Sequence, residues 1–162
     1  MTLILDTDIL SSLAKIERLS LLQKVFPNRD RLIPTGVYEE LEEAMEIGYE
    51  FPEMIFEFTE AVSLEGKELE EYKTQLTEMR KLDKGELQCL IIAEKRGYIF
   101  LTNDNFARRE GKSRGLKTYN LAEVVKAAHI AGELNEGEVK DMIKALEEKD
   151  NFTFANESHL YE

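Results

Sequence analysis

Apolar residues in this chain fall into short runs separated by longer stretches with helical spacing. Four runs are too short for helices and read as buried strands: residues 2–6 ("TLILD"), 31–34 ("RLIP"), 98–102 ("YIFLT") and 116–119 ("LKTY"). A fifth, within 58–64, reads as an edge strand. Between them, "ILSSLAKIERLSLLQKVF" predicts two short helices ending at Pro27-Asn28, and Thr35 is placed to cap a helix that runs to Gly48. Residues 66–81, 83–96, 104–114, 120–131 and 135–149 supply the remaining helices. Gly97 stops the second of these, and Asn135 with Glu138 spells a capping box on the last. Strands alternating with helices predict an α/β fold, a three-layer α/β/α arrangement around a mostly parallel sheet of four to five strands. No glycine-rich linker or internal repeat divides the chain. Residues 1–150 are expected to form one domain and 151–162 a loosely held tail.

Composition narrows the chemistry. At 162 residues, 43% hydrophobic and 33% charged, the chain is that of a globular protein with a real core. One cysteine, Cys89, excludes an internal disulfide and a Cys-rich zinc site, and the two histidines stand far apart. A metal here would be held by oxygen, which points to magnesium or manganese. Asp6 and Asp8 interrupt the apolar start before a signal peptide could form, and no run approaches a membrane span, so the cytoplasm is the expected location. A net charge of −12 argues against a broadly basic nucleic-acid surface. It leaves one local basic patch: Arg108, Arg109, Lys112, Arg114 and Lys117, with Glu110 the only acid among them.

The acids are more informative than the bases. In parallel α/β sheets, ligands bind beyond the carboxyl ends of the strands, where strand order switches. Two strands end in an aspartate, "LILD" at Asp6 and "YIFLTND" at Asp104. Each is singly explained as the cap of the next helix, but the coincidence of two favours a site. On the helix 35–47, Glu39, Glu42, Glu43 and Glu46 recur at i, i+3, i+4, i+7 and form a solvated face. Glu40 falls instead on the side marked by Val37, Leu41 and Ala44. A carboxylate buried there needs a partner, a metal or a raised pKa; at the stripe's boundary it would reach water. In "LDKGELQCLIIAEKRG", Asp83 and Glu86 spell another capping box, while Glu86 also heads a packing row with Leu90, Ala93 and Gly97. Four carboxylates directed inward repel one another unless cations neutralise them, and Mg²⁺ or Mn²⁺ held this way serves phosphate chemistry.

The pieces "LILDTDIL", "IPTGVYEEL", "LDKGELQCLIIAEKRG" and "IFLTNDNFARREGKSRGLKTYNL", in this order, resemble a PIN domain, the nuclease family that includes VapC-type toxins. The resemblance spans roughly residues 2–130. It implies Asp6, Glu40, Glu86 and Asp104 as metal-binding catalytic acids. Thr7, Asp8, Asp83, Thr102 and Asn103 would support them through hydrogen bonds. It implies a Mg²⁺- or Mn²⁺-dependent endoribonuclease, possible toxin of a toxin–antitoxin pair, with RNA as substrate, an antitoxin protein as partner and a homodimer as its assembly. Asp8 stands where many members have Asn, and Glu86 where many have Asp; both keep an oxygen donor. Arg108, Arg109 and Lys112 follow Asp104 on one short helix and are candidates to hold substrate phosphates, or simply form a solvated face.

Two other readings stay open at this stage. "LILDTDIL" also resembles the first motif of haloacid-dehalogenase-like phosphatases, in which Asp6 would be the nucleophile and Asp8 a general acid. That reading leaves Glu40 and Glu86 unused. The other is a non-catalytic PIN fold that binds a protein.

Overall fold

The computed structural model describes residues 1–162. Its centre is a five-stranded sheet, all parallel, in the order β3-β2-β1-β4-β5. The strands are β1 (Leu3–Leu5), β2 (Arg31–Pro34), β3 (Glu60–Val62), β4 (Ile99–Leu101) and β5 (Thr118–Tyr119). β1 and β4 are buried throughout, as continuous apolar runs in a covered parallel sheet should be. β3 is the short outer strand expected from residues 58–64.

Nine helices connect and cover these strands: α1 (Thr7–Lys15), α2 (Ser20–Val25), α3 (Thr35–Glu46), α4 (Phe51–Phe58), α5 (Lys67–Glu78), α6 (Lys84–Arg96), α7 (Asn105–Ser113), α8 (Leu121–Ile130) and α9 (Glu136–Asp150). α6 packs on β1, β2 and β4, with α3, α5 and α7 against it. α1 packs with α4 and α9, and α2 with α8. All 37 buried apolar residues belong to one cluster, so there is one core.

Some local signals act as expected. Gly97 ends α6 at φ +72°, a conformation glycine adopts without a Cβ penalty, and the Asn135–Glu138 box is formed; a further box, Asn120–Glu123, opens α8. Others differ. The cap position of α3 is Pro34, and Thr35 is its first residue, reaching Val62 O at 3.4 Å. The tail is not loose along its length: Glu157–Leu160 forms a 3₁₀ turn against α8, and Leu160 is buried. The far end of α9 is clasped to α1, where Asp150 accepts hydrogen bonds from Ser12 Oγ (2.6 Å) and Lys15 Nζ (2.8 Å).

Candidate functional site

The centre of the sheet is also where its order turns. β1 and β4 lie side by side, Leu5 in register with Leu101, and the chain leaves them at Asp6 and, three residues past Leu101, at Asp104. Both aspartates cap helices. Asp6 Oδ1 accepts from Thr7 N (2.7 Å) and Asp104 Oδ1 accepts from Ala107 N (2.7 Å). The cap explanation and the site explanation are therefore both physically satisfied, because a capping carboxylate keeps unused lone pairs. Thr102, fully buried between them, ties the two together. Its hydroxyl donates to Asp6 Oδ2 (2.9 Å) and accepts from Asp104 N (3.1 Å).

A third cap completes the pattern. Asp83 heads α6 and accepts from Glu86 N at 2.8 Å. The reciprocal half of a capping box is absent, so the Glu86 side chain is free of that duty. It is buried, and its Oε2 has no hydrogen-bond partner. Glu40 is half-buried on α3 and is brought to α6 by an unusually close helix crossing. A Cβ on Gly85 would lie 2.9 Å from Glu40 Oε1 and 3.0 Å from Val37 Cγ2; one on Gly36 would lie 3.0 Å from the Gly85 backbone. Gln88, buried on α6, fixes the crossing by accepting from Gly36 N at 2.7 Å.

The electrostatics follow from this crowding. Burial pushes Asp6 up to about 8, with the charge of Asp83 adding to it. Burial and Asp83 likewise push Glu40 up to about 7; the Thr7 hydroxyl offsets part of the rise, yet its Oγ1 is buried with no well-directed hydrogen bond. Glu86 rises furthest, through burial first, then the close approach of the Asp83 carboxyl and the charges of Asp6 and Asp104. Asp8 sits at the rim and is raised by partial desolvation and then by Asp83, Asp104 and Asp150. Asp83, expected only as a supporting residue, is thus the acid that its neighbours feel most. It bears the same signature as Asp6 and Asp104, an aspartate just ahead of a helix.

As a metal site the donor set fits by chemistry. It is all oxygen, its raised carboxyls would be relieved by a cation, and Glu86 holds a buried oxygen with nothing to bind. No three of these side chains yet close on a common point as ligands do. Next to them lies a depression of about 390 Å³ lined by Gly36, Glu39, Glu40, Glu43, Asp83 and Lys84.

The supporting and basic residues divide. Asn103 Oδ1 accepts from Leu121 N (2.8 Å), which anchors α8, while its Nδ2 is buried without a partner. Arg108 differs from the expectation of a free phosphate clamp. Both its Nε (3.0 Å) and Nη2 (2.7 Å) donate to Glu123 Oε1, so it links α7 to α8. Arg109 and Lys112 remain exposed on α7. Gln88 was not expected at all. The only signal in the sequence is its place two residues after Glu86, and its partner Gly36 lies 52 residues away.

Comparison with known proteins identifies the frame. A PIN domain family model matches residues 2–159. Among solved structures, VapBC2 from Rickettsia felis, bound to a DNA fragment from their promoter, is similar with a TM-score of 0.58 at 16% identity, covering 74% of this chain and 98% of that one. VapBC-1 from nontypeable Haemophilus influenzae gives 0.57 at 16% identity, with the same coverage, and PAE2754 from Pyrobaculum aerophilum gives 0.53 at 17% identity, covering 79% of this chain and 97% of that one. No curated protein matches the chain by sequence.

Proposed function

The chain belongs to the PIN domain family, and from that premise we propose that it is a Mg²⁺- or Mn²⁺-dependent endoribonuclease, the toxin of a toxin–antitoxin pair. The observation that carries this reading is the buried, unpartnered Glu86 Oε2 among Asp6, Asp83 and Asp104. An orphaned carboxylate oxygen beside three further acids costs free energy that a bound cation would return. Bound there, the metal supplies a Lewis acid for hydrolysis of the phosphodiester bond. Asp6, Glu40, Glu86 and Asp104 would hold it, with Asp83 beside them. Thr102 orients Asp6 and fixes its distance from Asp104; Gln88 and the two glycines keep Glu40 facing α6. Arg109 and Lys112, exposed on α7, would meet RNA phosphates, while Arg108 ties that helix to α8. An antitoxin protein and a second copy of the chain are the proposed partners; the VapBC likeness supports the first.

The family match over nearly the whole chain leaves the phosphatase reading without support. Asp6 is also only 2% exposed and hydrogen-bonded through both oxygens, poorly presented as a nucleophile. The test is direct. Purified protein with Mn²⁺ should cut RNA, and Asp6→Asn or Asp104→Asn should lower the rate by roughly 10²–10³-fold or more. Cutting that survives in both variants would place the activity elsewhere.

A further inference from the structure

Helix α1 is buried along most of its length, yet one of its stripes is polar. Asp8, Ser11, Ser12 and Lys15 recur at i, i+3, i+4, i+7, and Ser11 and Ser12 are buried. A packed core would fill such positions with apolar side chains. The stripe instead lines a pocket of about 330 Å³, together with Asn103, Asp150 and Phe152. The pocket adjoins the acids: Asn103 directly precedes Asp104, and Asp8 follows Asp6 by two residues. Part of its lining is satisfied from within, since Asp150 takes both Ser12 Oγ and Lys15 Nζ. Two polar groups are not. Asp8 is exposed and enters none of the eight ion pairs. Asn103 is held by its Oδ1 on Leu121 N, which leaves Nδ2 buried without a partner. The aromatic part of the lining is held in place as well. Asn151, at φ +51°, turns the chain at the end of α9, and Phe152 N donates to Leu146 O at 3.1 Å. The Phe154 ring meets that of Phe152 edge to face at 5.0 Å.

A free carboxylate, an unpaired amide donor and a held aromatic ring suit a flat ligand with both N–H groups and acceptors on its edge. We propose that this pocket is a guanine-binding subsite, which seats one base of the RNA beside the acids. Guanine alone among the four bases presents two adjacent N–H donors, N1 and N2, to match the two oxygens of Asp8. Its O6 and N7 are acceptors for Asn103 Nδ2 and the Ser11 hydroxyl, and its bicyclic ring stacks on Phe152. Adenine and cytosine offer one amino group and uracil one N–H, so each leaves an Asp8 oxygen unmet. A guanidinium group would satisfy Asp8, but it brings no acceptor for Asn103 and sets a like charge near Lys15. Recognition through a base also suits a chain of net charge −12, which gains little from phosphates. The subsite rests on the ribonuclease reading for its purpose, and it names the part of that substrate which the protein reads.

Guanosine and inosine, which differ only in the amino group at C2, test the pocket on the full chain without metal. Titrations followed by backbone amide shifts should show guanosine binding about tenfold tighter than inosine, adenosine or uridine. The shifts should move within residues 8–15, at 103 and within 150–152. Phe152→Ala should lower guanosine affinity about tenfold, and Phe152→Tyr should restore it. Asp8→Asn should remove the preference for guanosine over inosine. With Mn²⁺ added, the native protein should cut a single-stranded RNA beside its one guanine, and inosine in that place should slow the cut about tenfold. Equal or absent binding of guanosine overturns the proposal. So do shifts confined to the α2–α8 face, or cutting that is indifferent to guanine. Should Phe152→Ala fail to fold, the shift map and the inosine comparison on the native chain decide. Guanosine binding without RNA cleavage strikes the nuclease reading and leaves the pocket; cleavage without guanosine binding does the reverse.

Discussion

Glu68 and Glu86 are each 6% exposed, and they lie against opposite ends of the same helix, α6. Their situations could hardly differ more. Glu68 receives Arg96 through two bonds, Nε to Oε2 at 2.7 Å and Nη2 to Oε1 at 2.8 Å, and also accepts from Glu65 N. Arg96 holds its carboxyl below the usual range. Glu86 has acids for neighbours, an oxygen without a partner, and a raised carboxyl. Burial alone therefore says little about what a carboxylate does. One is satisfied by the chain itself and joins α5 to α6; the other is left for something the chain does not contain.

That contrast can be broken in several ways. The largest effect expected is on catalysis: Glu86→Gln should lower Mn²⁺-dependent RNA cleavage by roughly 10²–10³-fold, about 3–4 kcal/mol in the barrier. Glu68→Ala should leave the rate per folded molecule unchanged, and a comparable loss there would erase the distinction. Stability should respond in the reverse sense. Glu68→Ala should cost about 2–3 kcal/mol in urea unfolding, below the value for a fully buried pair because Arg96 is partly exposed. Glu86→Gln should instead stabilise the metal-free protein at pH 8 by about 1 kcal/mol, and a destabilisation would mean that Glu86 has a partner after all. Gly85→Ala tests the helix crossing. It should cost about 1–3 kcal/mol and weaken Mn²⁺ binding, since the added methyl displaces Glu40 and Val37.

The smallest effect is the pH profile. Asp6 and Glu40 have folded values of about 8 and about 7, above the ordinary 3.8 and 4.5, so the folded state binds their protons more tightly than the unfolded chain. Their contribution is full below about pH 4 and is lost as pH rises through 7 and 8. In EDTA the melting temperature should fall between pH 6 and 9, and Mn²⁺ should flatten the fall. Glu68 acts oppositely: its contribution is present above pH 4.5 and is lost as pH falls below that. A metal-free melting temperature that rose from pH 6 to 9 would contradict the raised carboxyls.

Most of the fold was legible because short apolar runs and helical spacing are local properties, and Asp6 and Asp104 were legible because each ends such a run. Glu86 is buried, but the row it heads is not what buries it. Residues 85–93 of α6 are buried on every side, so no row along that helix distinguishes an inward position from an outward one. Thr35 was read as a cap from its hydroxyl alone, whereas the extended backbone of Pro34 takes that place. What no local pattern could reveal were partnerships across the chain. Gln88 meets Gly36, Arg108 meets Glu123, and Asp83 becomes the hub of the acids only once α1, α3 and α6 have met. Even there, three aspartates each directly preceding a helix made a signal that could have been read as one set.

The clasp between Asp150 and α1 bears on how the molecule is born. A nascent chain emerges with Asp6 first, but β1 belongs at the middle of the sheet and must wait for β4, and α1 is not gripped until residue 150 is free. The carboxylates therefore remain scattered at least until residue 104 has been made and β4 has joined β1. A site drawn from residues so far apart in the chain is a property of the finished sheet and of no segment by itself.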